Sequence, residues 1–411
     1  MRALFTTLPG LGHLHAMVPL ARALAAARHE VAFASSSRFS SVVEASGFRC
    51  FPCGFDWLEA EFSLSFPELR AAPIGSEQTQ QRVMNLLAGE LARHMTSDLE
   101  ARIRSWEPEL VVRDRLEFGG CLAAESARIP HVSCGPLFYP DPLDLKRCVG
   151  EALGRLRRAG GLPPDPGLQM LHRYLDLAFA APSYLGGRHM VSAVTHFLRP
   201  VVFDESGDEQ LPDWITETPD RPTVLGTVGT VFNRMSAVFE TILDALGHGP
   251  FNLILTVGRN RDPAEFKSLP PNARVVQYIP YRLLLPHCDL VITHGGSTTV
   301  TACLMHGLPL IVIPVAGDHF LTSKRCVRAG IGIALEPEKL TARGVRRAAA
   351  QLLGDSWYRN QARRVREEML ALPGIEHGVE LLEELAIRRA PCLDSASGLR
   401  PCSREPGASP R

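Results

Sequence analysis

The sequence predicts an α/β protein made of two doubly wound parallel-sheet domains facing each other across a cleft. Three observations carry this. Strand-like and helix-like segments alternate through the first third of the chain, a second alternation of the same kind begins at Thr223, and the stretch between them keeps neither period. At 411 residues the chain also exceeds what one hydrophobic core usually organises.

The elements follow in order. "RALFTT" (Arg2 to Thr7), "EVAFAS" (Glu30 to Ser35), "FRCF" (Phe48 to Phe51), "ELVVR" (Glu109 to Arg113) and "PHVSC" (Pro130 to Cys134) are short apolar runs of strand length. Helical patterns such as "LARALAAAR" and "VMNLLAGELARHMTSDLEARI" separate them. Between Phe138 and Tyr184 the alternation loosens into Pro-rich pieces, "YPDPLDL" and "GLPPDPG", of the kind that carries substrate contacts. Residues 1–198 are therefore expected to form the first domain. Residues 199–222, "RPVVFDESGDEQLPDWITETPDRP", are rich in acid and proline and read as the interdomain linker. "TVLGTV", "FNLILTV", "ARVVQYI", "DLVIT", "LPLIVIP" and "GIGIAL" are the strands of a second domain over 223–388, closed by three helical segments. The Pro, Ser and Arg-rich tail, 389–411, reads as disordered.

Composition narrows the chemistry. Forty-four basic residues balance forty-four acidic ones, which gives nucleic acid or an anionic membrane no bulk attraction. No apolar stretch reaches the eighteen or so residues of a membrane span, the N-terminus lacks a signal-peptide pattern, and a cytoplasmic protein acting on small molecules is expected. Ten scattered cysteines suit reduced thiols. Only "CFPC", Cys50 to Cys53, has metal or redox spacing, and without a second pair nearby it reads as incidental.

The turn in "ITHGGSTTVTACLMHGLPLIVIP" opens a helix after a buried strand. Gly295 and Gly296 permit a sharp bend and close approach of a ligand, and Ser297, Thr298 and Thr299 sit beside unpaired helix N–H groups that favour an anion. An ordinary capped helix would look the same. Wider context decides, and it comes from several stretches in a fixed order: "GHLHAMVPLARAL", "PELVVRDRLEFGGCLAAE", "RPTVLGTVGTVF", "VVQYIPYRLLLPHCDLVITHGGSTT", "HGLPLIVIP" and "GDHF".

On these motifs, which run from Arg2 to about Ala386, the chain resembles nucleotide-sugar glycosyltransferases of the GT-B fold, two Rossmann-like domains across a cleft. The resemblance is closest to the bacterial branch that decorates polyketide and related antibiotic aglycones. It implies a sugar moved from a UDP- or dTDP-sugar donor to a hydroxyl or carboxyl of a hydrophobic small molecule, with inversion, no cofactor and no metal. It implies further that His13 is the general base and that Asp114 orients it, with Glu117 open as a competitor. For the donor it implies a diphosphate grip by Gly229, Thr230, His294, Gly295, Gly296, Ser297, Thr298 and Thr299. Tyr278 falls beside the nucleobase, where stacking and core packing remain open, and Asp318 and His319 fall at the sugar. Thr298 stands where glycine or asparagine is usual, His319 where many members have glutamine, and Ala302 where the plant branch has a ribose-binding glutamate.

Two rivals remain from the residues. A nucleotide-sugar 2-epimerase can use the same fold, and a non-catalytic auxiliary protein could keep it. A dinucleotide dehydrogenase fits less well, because "GLGHLH" has His15 in place of the third glycine and the second strand ends in Ser35 to Ser37 without an acid.

Overall fold

The computed structural model describes residues 1–394 apart from 70–76, 136, 138, 189–190, 205–208, 218, 230–235, 260 and 316. Thr230 and the tail residues 395–411 thus lie outside the described residues.

The first sheet has seven strands, β1 (Arg2–Thr6), β2 (Glu30–Ser35), β3 (Arg49–Pro52), β4 (Leu110–Asp114), β5 (His131–Cys134), β6 (Leu175–Ala178) and β7 (Thr195–Phe197), in the order β3-β2-β1-β4-β5-β6-β7. The second has six, β8 (Thr223–Thr227), β9 (Asn252–Thr256), β10 (Ala273–Val276), β11 (Leu290–Thr293), β12 (Leu310–Val312) and β13 (Gly332–Ala334), in the order β10-β9-β8-β11-β12-β13. Every pairing is parallel. Helices cover both faces, so the central strands are buried throughout and read as continuous apolar runs rather than alternations.

All eleven expected strands are present, and β6 and β7 are additions. Their physical reason is plain. They are four and three residues long, and the first carries a fully buried aspartate, Asp176, that breaks the apolar run.

Strand order reverses direction between β1 and β4 in one sheet and between β8 and β11 in the other. Parallel strands leaving in opposite directions open a crevice at their carboxyl ends, the usual place for a ligand. The register sets Thr6 beside Arg113 and Thr227 beside Thr293, so the turns after these strands are brought together in pairs.

One apolar core runs from half to half. Leu137, Ala178 and Tyr184 of the first pack in one cluster with Leu304, Val312 and Cys326 of the second. Arg325 reinforces it by donating to the carbonyls of Leu137 at 2.6 Å and Tyr139 at 2.7 Å. The final helix, Ile375–Arg388, crosses back to the first half, where Val379, Leu382 and Leu385 join a core containing Leu14, Leu20 and Leu177. Gly378 permits that approach: a β-carbon there would stand 3.0 Å from Leu198 Cδ1.

Cys50 and Cys53 are buried and not bonded to each other. Burial pushes the Cys53 thiol up to about 12, which makes it a poor nucleophile. No helix among the described residues is long and apolar enough to cross a membrane.

Candidate active site

His13 lies in the first turn of the helix Leu11–Ala26, directly after the β1 turn. Asp114 ends β4. Residues 101 positions apart therefore meet at the first reversal point, where the Nδ1–H of His13 donates to Asp114 Oδ2. The second carboxylate oxygen of Asp114 is also fixed, accepting from the Leu116 N–H at 2.8 Å. Asp114 is completely buried, so both bonds are made away from water. The competitor Glu117 is engaged elsewhere: it accepts from Thr6 Oγ1 at 2.6 Å and from the N–H groups of Gly119 and Gly120 at 2.6 and 2.8 Å. It ties the next helix to β1 and leaves His13 to Asp114.

The other ring nitrogen, Nε2, stands 3.6 Å from Glu59 Oε1. Burial works against a charge on this imidazole, but the Asp114 carboxylate and then Glu59 outweigh it and hold His13 well above its ordinary value. His15, two residues on, packs edge-on against Phe203 with ring centroids 5.1 Å apart.

At the second reversal point Gly229 follows β8 and His294 follows β11. The His294 ring is held between two glycines. A β-carbon on Gly229 would come within 2.6 Å of its Cε1, and one on Gly296 within 2.6 Å of its Nε2. Gly229 also has φ +73 and Gly295 φ +95, a region L side chains avoid. His319 meets His294 edge to face, centroids 4.6 Å apart. Burial and then the neighbouring His319 depress His294 to about 3, and burial alone brings His319 to about 3. Both rings are neutral at physiological pH, so each carries a single N–H, and a hydrogen bond to the Thr227 backbone already engages the His294 ring.

The helix Ser297–Met305 starts beside this pair with Gly296 at its cap, a residue with no side chain to bond the leading N–H groups. That end suits a diphosphate. The Ser297 hydroxyl donates to Asp318 Oδ2 at 2.8 Å, which fixes the acid expected at the sugar. Thr298 is half-buried beside it. Thr299 is turned inward, its hydroxyl 3.3 Å from Tyr281 Oη, which is itself 3.3 Å from Thr227 Oγ1. The ring of Tyr278 carries the Arg259 guanidinium over its face, 3.9 Å from the centroid. A base stacking on Tyr278 would therefore use the opposite face or displace Arg259.

The two halves of the site face each other. The helix of His13 approaches the helix Ser297–Met305, and the Asp318 carboxyl lies close enough to His13 and Glu59 for their charges to act on it. Filling the space around His294 should damage the donor side. Gly229→Ala is expected to weaken binding of a nucleoside diphosphate about tenfold, the scale of one charge-assisted hydrogen bond, and to lower the melting temperature as well, because φ +73 and the approach to His294 strain any side chain there. Calorimetric titration checks it, and unchanged affinity would remove His294 from the grip.

Two features escaped the sequence reading. Glu59 lies in "FDWLEAEF", where nothing in the spacing marks one acid above another. Behind the dyad, Arg115 donates to Asp176 Oδ1 at 2.8 Å and bonds Tyr139, whose hydroxyl donates to Asp176 Oδ2 at 2.9 Å. This buried cluster connects the residue after Asp114 to the loop that Arg325 grips.

The chain as a whole is similar to known proteins. The family described as erythromycin biosynthesis protein CIII-like, C-terminal domain, matches residues 240–385. The 10-deoxymethynolide desosaminyltransferase of Streptomyces venezuelae is 30% identical, over 96% of this chain and 100% of that protein. Among solved structures, the glycosyltransferase SsfS6 of Streptomyces sp. SF2575, complexed with thymidine diphosphate, is similar with a TM-score of 0.74 and 25% identity, over 93% of this chain and 99% of that one. The glycosyltransferase VinC in complex with dTDP is similar with a TM-score of 0.74 and 26% identity, over 94% of this chain and 100% of that one.

Proposed function

The chain belongs to the antibiotic glycosyltransferases of the GT-B fold, and from that premise we propose that it moves a hexose or deoxyhexose from a dTDP-sugar to a hydroxyl or carboxyl of an apolar, polyketide-type aglycone. The observation that carries this reading is the pairing of two differently tuned imidazole sites across one cleft. His13 is held by Asp114 beside the first sheet's crevice, and His294 with His319 sits by the second.

In this reading the acceptor hydroxyl approaches Nε2 of His13, which takes its proton while Asp114 keeps Nδ1 in the donor role and steadies the charge that forms. The oxygen attacks the anomeric carbon as the bond to the diphosphate breaks. The diphosphate leaves toward the N–H groups of Ser297 to Thr299 and the imidazole of His294, so its charge is met by fixed dipoles. One base, with no carboxylate assigned as a nucleophile among the described residues, supports a single displacement with inversion, and the N–H set supplies the leaving-group stabilisation that a metal would otherwise give. Thymidine diphosphate in two similar structures supports a dTDP donor. Phe55, Phe62, Leu86 and Leu116, apolar and only partly buried on the first half, support a hydrophobic acceptor. The named relative is a transferase, and the epimerase alternative gains nothing from the site.

The test is one assay with three readouts. Purified protein with dTDP- and UDP-sugars and a panel of hydrophobic acceptors should give a hexose or deoxyhexose mass increment, insensitive to EDTA, with the anomeric coupling constant of the opposite configuration. Sugar isomer released without acceptor, loss of transfer on chelation restored by magnesium, or a retained configuration would each overturn the corresponding part.

A further inference from the structure

Glu59 sits where the acceptor has to be. Its Oε1 is 3.6 Å from Nε2 of His13, the nitrogen left free by Asp114, and its backbone N–H is anchored to the Pro9 carbonyl at 3.0 Å. The Gly10 position is shaped around it, because a side chain there would collide with the Glu59 carboxylate. We propose that Glu59 is a positioning residue that gates the base: it covers the Nε2 side of His13 in the resting protein and gives that side up to the acceptor hydroxyl. The inference rests on the reading of His13 as the base.

The groups facing the ring set the logic. Asp114 comes from the end of β4, Glu59 from the short turn Glu59–Glu61, and Asp318 from the segment before the helix His319–Arg328, with His294 beyond it. Flanked by two carboxylates, His13 is pushed toward the form with a proton on each nitrogen, and an imidazolium cannot accept another. The base is therefore masked until Glu59 withdraws. The proton balance is simple. The Nε2 proton leaves to water past the Glu59 side chain, which is 29% exposed, before the hydroxyl takes that side of the ring. The neutral Nε2 then takes the acceptor proton as the oxygen–carbon bond forms and the carbon–diphosphate bond breaks. After product leaves, Glu59 returns to the imidazolium. Each turnover sends one proton to solvent.

A purely structural Glu59 would only favour the N-terminus of the His13 helix, and its loss would lower the melting temperature without moving a titration. The pH profile of kcat/KM separates the two roles because it reports the free enzyme. In wild type the rate rises with pH as His13 loses its proton. Removing a neighbouring negative charge moves that limb to lower pH. Glu59→Gln should thus raise the acid-limb rate, relative to the variant's own high-pH plateau, by about fivefold, the scale of a charge pair near 4 Å in a solvent-like medium. Glu59→Asp, which keeps the charge, should hold the limb near wild type, and it stands in for comparison with Glu59→Ala if the Gln variant does not fold. An unmoved limb in the uncharged variants overturns the gate. His13→Ala separates this failure from that of the underlying reading: if it keeps the wild-type rate and acid limb, His13 is not the base, whatever Glu59 does.

Discussion

His13→Ala is expected to lower transfer to a hydroxyl acceptor by about a hundredfold or more, the usual scale for general acid–base catalysis. Affinity for dTDP should change little, because the proposed diphosphate grip belongs to the second sheet, at the turns after β8 and β11. The loss should depend on the acceptor. A hydroxyl must give up its proton during attack, whereas a carboxylate is already ionised and should lose much less. Single-turnover rates for two acceptors differing only in that group, with calorimetric dTDP titrations, make the comparison. Equal losses for both acceptors, or loss of nucleotide binding and thermal stability together with the rate, would assign His13 to packing.

The second large effect is expected at Asp114, and the more informative substitution is the isosteric one. Asp114 accepts from two donors, Leu116 N–H and the His13 ring, and an asparagine can satisfy only one of them with its carbonyl oxygen. The backbone N–H cannot become an acceptor, so the oxygen stays with Leu116 and the amide NH2 turns toward His13. The ring must then accept at Nδ1 and carry its proton on Nε2, the tautomer that cannot take a proton from the acceptor. Asp114→Asn should therefore cost about a hundredfold or more in kcat and be no milder than Asp114→Ala, although it conserves shape. A ranking in which asparagine restores most of the wild-type rate would mean that Asp114 acts through packing rather than through tautomer and charge.

The sequence made the two-sheet architecture legible because parallel strands buried on both faces must be apolar from end to end, and such runs stand out. Where a strand holds a charge, as β6 does at Asp176, that signal disappears. The glycine and hydroxyl residues of the turn from His294 to Thr299 stand out at a strand end, whereas His13 is singled out only by the resemblance, and the structure sets both at strand ends beside the reversal points. The choice of Asp114 over Glu117 was not legible. Three residues apart in one turn, both are buried, and only the places of Thr6 and of the N–H groups of Gly119 and Gly120 assign Glu117 a different task. Glu59 was hidden for a related reason: it meets His13 across 46 positions through a loop without period. The inward turn of Thr299 toward Tyr281 likewise depends on a partner that the local pattern does not name.

The path of the last helix has a consequence for recombining halves among relatives. Ile375–Arg388 is encoded after the second sheet, yet Val379, Leu382 and Leu385 complete the hydrophobic core of the first half. A hybrid spliced only within residues 199–222 would press that helix against a foreign surface, with Gly378 fitted to neighbours it no longer has. Shuffling acceptor and donor specificities is therefore a three-piece operation. The C-terminal helix travels with the N-terminal half, and the second crossover falls at the short segment between the helix Ser356–Ala371 and Ile375, where Pro373 O already accepts from the Arg199 N–H at 2.8 Å.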